Sequence, residues 1–289
     1  MKIIYDIDPN LFKSKQEEDY LELLKEVITE SGHSYHVIDM KSLIDDYTSD
    51  NNYIHFLWGS HWFIRQIESL YKFYECRYYV DRTMENYKVS TFTNYYDKFM
   101  LNDSNDLLFQ PYWQFKKEWQ ENRDYVLMED LFIRPDSGSK SFAGQVISND
   151  VNNAHDTYEQ FINTRDQIDK INPQEIIVTA SVKDIQKEWR LFVSNGKVIT
   201  GSTYSHIDDP EQISNKDLDK IKPYMENILL DGWLPDPTFM MDIGLVYIPE
   251  TGDYHYRIIE FNITNTSYWY RLDPSMMIEE LNRVIQDSF

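Results

Sequence analysis

In the first sixty residues, short apolar runs typical of β-strands alternate with a segment whose apolar residues have helical spacing. Short apolar runs at residues 3–5, 35–38 and 53–58 have the length of buried strands. Between the first two runs, residues 17–30 repeat apolar side chains at helical spacing, and Gly32 follows as a stop signal. Because strands alternate with a helix, this segment is predicted to form a parallel α/β sheet.

The third predicted strand leads directly into a helical pattern. Gly59 and Ser60 precede a run in which Phe63, Ile64 and Ile67 recur at helical spacing. Backbone N–H groups at such a strand-to-helix turn form an anion site. A plain helix N-cap explains Ser60 equally well.

Two hairpins are predicted in the second half of the chain. Asn195-Gly196 lies between two apolar runs, which is a strong hairpin signal. Residues 239–247 and 256–262 also alternate as strands and are joined by a polar turn. The remaining patterns predict helices at 95–101, 156–171, 217–230 and 274–286, a hairpin over 132–147 and a strand over 175–180. The loosely patterned stretch 81–92 suggests a domain boundary, giving segments 1–88, 89–182 and 183–289.

Composition argues against several classes of function, among them nucleic-acid binding, membrane insertion and zinc proteolysis. The chain has 289 residues and a net charge of −21, so a nucleic-acid backbone would be repelled and no nucleic-acid partner is expected. Cys76 is the only cysteine, which excludes an intrachain disulfide and fits a reducing cytoplasm. No apolar run is long enough to cross a membrane, so no membrane partner is expected. The histidines form no zinc-protease pattern.

Three oxygen-bearing side chains form a candidate metal site. Glu260 and Asn262 lie two residues apart on a predicted strand and therefore share a face. A hairpin centred on Thr251 would place Asp242 opposite Glu260, where like charges are destabilising unless a cation lies between them. Two carboxylates and an amide oxygen suit Mg²⁺. The alternative is a pair of solvated acids on an exposed sheet face.

Two further segments carry cations. Arg134 ends a predicted strand, and the following polar loop, residues 135–144, contains glycine, serine and Lys140, which favours phosphate binding. The loop does not match a P-loop and could equally be a surface turn. On the Asn195-Gly196 hairpin, Glu188 and Arg190 share one strand face. The alternative for these two is a surface ion pair.

Taken in order, these segments resemble the ATP-grasp superfamily. The segments that carry the resemblance are FIRPDSGSKSFAG, EWRLFVSNGKVITGSTY and MMDIGLVY with YRIIEFN. They are similar to a phage-associated clade with arginine where most members have the strand lysine. The resemblance covers roughly residues 90–289, and the strand 175–180 lies further before Glu188 than the usual adenine-binding hinge.

The resemblance implies a fold and a set of roles. The expected class is α/β (α+β): two ATP-grasp lobes sandwiching a nucleotide, preceded by a small parallel α/β domain. Implied catalytic residues are Arg190 and Lys140, implied metal ligands are Asp242, Glu260 and Asn262, and the implied ATP contacts are Arg134, Ser139, Lys140, Val178, Glu188 and Arg190. Ser60 and Ser267 are the candidates for holding a substrate carboxylate.

The implied function is an ATP- and Mg²⁺-dependent carboxylate–amine ligase that works through an acyl phosphate. Its partners would be a small-molecule or peptide carboxylate and an amine acceptor, in the cytoplasm of a bacterial or phage-infected cell. The alternative is a non-catalytic nucleotide-binding sensor or interaction protein that keeps the fold.

Overall fold

The structure is a computed structural model. It describes residues 2–38, 52–80, 84–121, 130–138, 141–147, 171–203, 213–230, 232–249 and 251–289. Ser139, Lys140 and most of the predicted helix 156–171 lie outside the described residues. None of the described helices combines the length and the hydropathy needed to cross a membrane.

The described elements alternate between strands and helices. The strands are β1 (Lys2–Ile7), β2 (Ser34–Val37), β3 (Tyr53–Trp58), β4 (Tyr78–Tyr79), β5 (Leu108–Pro111), β6 (Leu131–Pro135), β7 (Gln145–Ile147), β8 (Ile176–Ser181), β9 (Ile185–Ser194), β10 (Lys197–Thr203), β11 (Thr238–Ile248) and β12 (Asp253–Ile263). The helices are α1 (Lys15–Glu30), α2 (His61–Phe73), α3 (Val89–Tyr96), α4 (Tyr112–Glu121), α5 (Asn215–Leu229) and α6 (Pro274–Asp287).

The chain divides into two compact units. The first unit contains Met1–Thr83, Lys187–Ile243 and Phe261–Phe289, and the second contains Met84–Gln186 and Gly244–Glu260. Two of these limits lie near the predicted boundaries at residues 88 and 182. The division into three segments stays a prediction.

The parallel N-terminal sheet is confirmed in the first unit. Its strand order is β2-β1-β3-β4, and β1 pairs in parallel with both β2 and β3. Its core is shared with later parts of the chain, because Ile3 and Phe56 belong to the same buried cluster as Phe192, Trp269 and Leu281. The N-terminal segment therefore folds against β9, the stretch after β12 and the terminal helix α6.

The Asn195-Gly196 hairpin is also confirmed. Asn195 and Gly196 both have positive φ, 47° and 76°, as a type I′ turn requires. The turn joins β9 to β10 with Ser194 paired to Lys197. These strands belong to a sheet of order β10-β9-β11-β12. Since the type I′ turn matches the twist of paired strands, it fixes the register in which β9 presents Glu188 and Arg190.

The second unit contains an antiparallel sheet of order β5-β8-β6-β7. The predicted hairpin over 132–147 is present as β6 and β7. The predicted helix 95–101 is wrong in its limits, since the helix in this region is Val89–Tyr96. Asp136 explains the earlier start: its carboxylate accepts from the Ser90 N–H and hydroxyl, at 2.8 and 2.9 Å. A helix start stabilised from so far along the chain leaves no local signal.

A buried carboxylate lies inside the parallel sheet. Asp6 is fully buried on β1 and accepts a hydrogen bond from the Tyr71 hydroxyl at 2.6 Å. Its two oxygens also lie 2.7 Å from His55 Nδ1 and 3.2 Å from His36 Nδ1. The hydrogen bond to Asp6 raises the pKa of His36, and it outweighs the opposing effect of partial burial.

This interaction predicts a pH dependence of stability. Because the pKa of His36 is raised on folding, its contribution is complete below the unfolded pKa of about 6.5 and is lost as pH rises through the folded pKa. Urea unfolding of the wild type and of His36→Gln should therefore differ most in free energy at acidic pH, with the difference shrinking above about pH 6.5. His255→Gln, which removes an imidazole bonded to Thr251 instead, is the control. A His36→Gln difference that grows with pH would contradict the assignment.

Candidate functional site

The centre of the candidate site is an ion pair between β9 and β11. Arg190 on β9 donates from Nε to Asp242 Oδ1 and from Nη2 to Asp242 Oδ2, both at 2.7 Å. Both residues are buried, with 5% of Arg190 and 1% of Asp242 exposed. The two parallel hydrogen bonds form the bidentate geometry in which arginine binds a carboxylate most strongly.

Three neighbours complete the surroundings of this pair. Asn262 Nδ2 donates to Asp242 Oδ2 at 3.0 Å, and Arg190 Nη1 donates to the Tyr268 carbonyl at 3.0 Å. The Arg190 guanidinium also lies over the ring of Tyr270, 4.8 Å from its centroid. Two of the three predicted metal ligands, Asp242 and Asn262, are therefore in direct contact.

A buried ion pair of this kind is poor evidence for stabilisation. Taking two charges out of water costs several kcal/mol per ion, roughly what their attraction returns. Ionisable groups placed in such surroundings are instead frequent at functional sites. The environment of Arg190 and Asp242 supports a chemical role for both residues.

A second ion pair lies in the second unit. Arg134 Nη2 on β6 is 2.8 Å from Glu260 Oε2 on β12. Both side chains are largely buried. The sequence pattern predicts one cation between Asp242 and Glu260, whereas in the structure a separate arginine lies beside each carboxylate. The alternative of two solvated acids on an exposed face is wrong for Asp242, which is buried.

The other predicted nucleotide contacts are placed as follows. Glu188 is half-buried on β9, two residues before Arg190. Val178 is buried on β8, where it pairs with Phe109 on one side and Arg134 on the other. Their roles stay predictions, as do those of Ser139 and Lys140 outside the described residues.

Gly138, which lies inside the phosphate-loop candidate of residues 135–144, is in tight contact with its surroundings. A Cβ added at Gly138 would lie 2.8 Å from the Met84 carbonyl oxygen and 2.8 Å from Tyr87 Cβ. Any other residue would require the backbone here to shift. Gly138 therefore fixes the path of the chain from β6 toward residues 139 and 140.

Ser60 and Ser267 both have partners inside the first unit. Ser60 caps α2 by accepting from the Phe63 N–H, and its hydroxyl donates to Asp8 Oδ2 at 3.1 Å. The helix-cap alternative for Ser60 is thus present in the structure. Ser267 Oγ donates to the Ile263 carbonyl at 2.6 Å. Their substrate contacts stay predictions.

The segments that carry these two serines do meet. The Gly59 N–H donates to the Asn265 carbonyl at 2.9 Å, and the Asn265 side chain donates to the Leu57 carbonyl at 2.6 Å. The Trp58 indole donates to the Ser267 carbonyl at 3.0 Å. The end of β3 and the stretch after β12 are therefore joined directly by hydrogen bonds.

Tyr268 and Tyr270 are site residues that the sequence analysis missed as partners of Arg190. Tyr270 has a φ of 49°, an uncommon left-handed conformation for a residue with a large side chain. Such strain persists only where the surrounding structure imposes it, and it is frequent at functional sites. No sequence pattern marks this position, since neither glycine nor asparagine occupies it.

The donor types in the predicted metal set are those that a hard cation binds. Among the described residues, no three His, Cys, Asp or Glu side chains cluster in a way that could hold a metal. The predicted set contains only two carboxylates and an amide. Carboxylate and amide oxygens are the ligands that Mg²⁺ takes, usually from one or two protein carboxylates together with phosphates and water.

Comparison with known proteins identifies the family. A family model described as an ATP-grasp domain, R2K clade family 2, matches residues 114–279. The match covers more than half of the chain, and the chain belongs to this family. The predicted ATP-grasp fold is confirmed, whereas the phage association and the strand-lysine assignment of Arg134 stay predictions.

Solved structures agree on the fold. D-cycloserine synthetase DcsG matches with a TM-score of 0.55 and 11% identity, over 98% of this chain and 99% of that one. D-alanyl-alanine synthetase A from Vibrio cholerae matches with 0.55 and 12%, over 99% and 98%. The ATP-grasp ligase PsnB complexed with its minimal precursor matches with 0.50 and 11%, over 98% and 99%. A search of curated proteins finds no match.

The buried pair predicts a specific pattern of stabilities. Arg190→Met leaves the Asp242 carboxylate buried without its cation, so unfolding in urea should become easier by about 3–5 kcal/mol. Arg190→Met with Asp242→Leu removes both charges and should recover a large part of that loss. Arg283→Met, which breaks an exposed pair with Glu280 on α6, is the control and should cost at most about 1 kcal/mol.

A cost for Arg190→Met as small as that of Arg283→Met would contradict this assignment. So would a double variant less stable than Arg190→Met alone.

Proposed function

We propose that the protein is an ATP- and Mg²⁺-dependent ligase that joins a carboxylate to an amine. The family and the fold of ATP-grasp ligases support this proposal. The observation that carries it is the buried constellation of Arg190, Asp242 and Asn262, in which a guanidinium and two oxygen-bearing side chains meet. These are the groups that phosphoryl transfer requires: a fixed cation for phosphate oxygens and hard oxygen ligands for a metal.

Arg190 and Arg134 are the residues proposed to bind phosphate. Each guanidinium is already oriented by a carboxylate, at 2.7 Å for Arg190 and 2.8 Å for Arg134. Phosphate oxygens present the same forked acceptor geometry as a carboxylate. A polyphosphate would therefore offer each guanidinium an acceptor of the same geometry as its carboxylate. Lys140 and Ser139 would add contacts from the following loop.

Asp242, Glu260 and Asn262 are the proposed Mg²⁺ ligands. When bound, Mg²⁺ would supply positive charge to the phosphate oxygens. The residues of the chain contribute by position: Arg190 and Arg134 neutralise phosphate, and Glu188 and Val178 are assigned to the nucleoside. In this kind of chemistry, positioning and charge neutralisation supply most of the rate.

The proposed reaction has two steps. A substrate carboxylate oxygen attacks the γ-phosphorus of ATP, the bond to the bridging oxygen breaks, and ADP leaves. The amine then attacks the acyl carbon of the acyl phosphate, inorganic phosphate leaves, and the amine loses a proton to solvent. Support for amino acids or peptides as substrates comes from the similar solved structures, which include a D-alanyl-alanine synthetase and a ligase complexed with its minimal precursor.

Glu260→Gln tests this proposal. ADP release should require Mg²⁺ and should rise with a specific pair of carboxylate and amine, screened across amino acids and peptides. Glu260→Gln removes a charged ligand and should lower this turnover about tenfold or more. Glu279→Gln, on the exposed face of α6, is the matched control and should behave as wild type. Circular dichroism on each variant separates loss of turnover from loss of fold.

One outcome would contradict the metal assignment of Glu260, and another would contradict the ligase function. Unchanged turnover in a folded Glu260→Gln variant would remove Glu260 from the metal site. Tight ATP binding without ADP release for any acceptor would favour the non-catalytic sensor.

A further inference from the structure

The first unit contains a cavity of about 150 Å³ beside the start of α1. Aromatic rings from three separate parts of the chain line it, among them Phe12, Tyr20, Trp58, Tyr268 and Trp269. A cavity of this volume with apolar walls is large enough for a benzene-sized group. It therefore suits a single apolar or aromatic side chain rather than a whole nucleotide.

The walls of the cavity are held in place. Trp58 and Trp269 stack with ring centroids 3.9 Å apart, and Phe12 packs edge-on against Trp58 at 5.3 Å. Both indole N–H groups donate to backbone carbonyls, of Ser267 and Thr264 respectively. Since the stacked indoles cannot turn without breaking these bonds, the apolar part of the cavity is preformed.

Arg271 supplies positive charge at the same cavity. Within the part of the chain that the structure describes, no hydrogen bond or ion pair of the Arg271 side chain is present. This distinguishes Arg271 from Arg190 and Arg134, each of which is paired with a carboxylate. An arginine beside an apolar cavity is suited to a ligand that carries a carboxylate next to an apolar group.

Glu17 at the cavity limits the charge of that ligand. Its Oε2 accepts from the backbone N–H groups of Lys13 and Ser14, at 2.8 and 2.7 Å, so the carboxylate is fixed as a cap of α1. Hydrogen bonds of this kind lower the pKa of Glu17 against the opposing effect of burial, which is the largest single influence. A fixed negative charge disfavours a dianionic phosphate and is compatible with a single carboxylate.

The cavity adjoins the candidate site. Tyr270 lines the cavity, and its ring also lies under the Arg190 guanidinium. The left-handed φ of Tyr270 turns the chain between Tyr268 and Arg271. As a result, the Tyr268 carbonyl contacts Arg190 while Arg271 lines the cavity. A ligand held at Arg271 would therefore lie on the same wall that contacts the Arg190–Asp242 pair.

We propose that this cavity is the binding site for the carboxylate end of a substrate with an apolar or aromatic side chain, with Arg271 holding the carboxylate. The inference rests on the proposed ligase function, because only that function requires a carboxylate beside Arg190. The source of the ligand is either a free amino acid or the C-terminal residue of a peptide, and both share this chemistry.

Binding to the intact protein without nucleotide tests the site directly. Phenylalanine and glycyl-phenylalanine are titrated by calorimetry, with phenylalaninamide as the probe that lacks the carboxylate and glycine as the probe that lacks the side chain. Either of the first two should bind, the amide and glycine should bind at least about tenfold more weakly, and the stronger of the first two identifies the source. Absence of binding by both carboxylates would overturn the proposal.

Arg271→Gln should weaken binding of the preferred carboxylate about tenfold to a hundredfold, and Arg271→Lys should weaken it less. Arg65→Gln removes an exposed arginine on α2, away from the cavity, and should bind as wild type. Equal affinity in Arg271→Gln and wild type would overturn the assignment. The probe series on wild-type protein gives an answer even if Arg271→Gln fails to fold.

Two results separate this inference from the proposed function. Arg271-dependent binding without any ADP release would support the carboxylate site and contradict the ligase function. The opposite result is ADP release that a carboxylate stimulates with the same KM in Arg271→Gln as in wild type. That result would support the ligase function and contradict the carboxylate site.

Discussion

The buried bidentate pair between Arg190 and Asp242 is the interaction on which the candidate site depends. It joins neighbouring strands, orients the guanidinium, and receives the Asn262 amide and the Tyr268 carbonyl as further partners. Such a pair contributes little net stability, because desolvation offsets the attraction. This balance is compatible with the proposed role of the two groups in binding phosphate and metal.

The same principle accounts for the second pair and for the charge of the chain. With 49 acidic and 28 basic residues, an isolated buried carboxylate would be strongly unfavourable. In each unit an arginine neutralises a largely buried carboxylate: Arg190 pairs with Asp242, and Arg134 pairs with Glu260. Arg271 differs, since no such pairing is present for it in the described residues, and it lies at an aromatic cavity. This contrast is the reason for assigning phosphate to the first two arginines and a substrate carboxylate to the third.

Local patterns predicted several of the elements but not the contacts between distant segments. The Asn195-Gly196 turn and the parallel N-terminal sheet could be predicted because their signals lie within a few residues. The partner of Arg190 is 52 residues away, and the Asp136 carboxylate that starts α3 is 46 residues from Ser90. Ser60 makes one interaction of each kind. Its role as helix cap is local, whereas its hydrogen bond to Asp8 joins residues 52 apart. The acid with which an arginine pairs depends on the tertiary fold, so it cannot be predicted from spacing along the chain.

The central claim is that the Arg190–Asp242 pair serves nucleotide and metal chemistry rather than folding. Calorimetric titration of the folded Arg190→Met, Asp242→Leu double variant with a non-hydrolysable ATP analogue, with and without Mg²⁺, tests it most directly. The wild type should bind the analogue in a Mg²⁺-dependent way, and a double variant whose fold is intact should lose that dependence. Wild-type affinity and wild-type Mg²⁺ dependence in the double variant would contradict it.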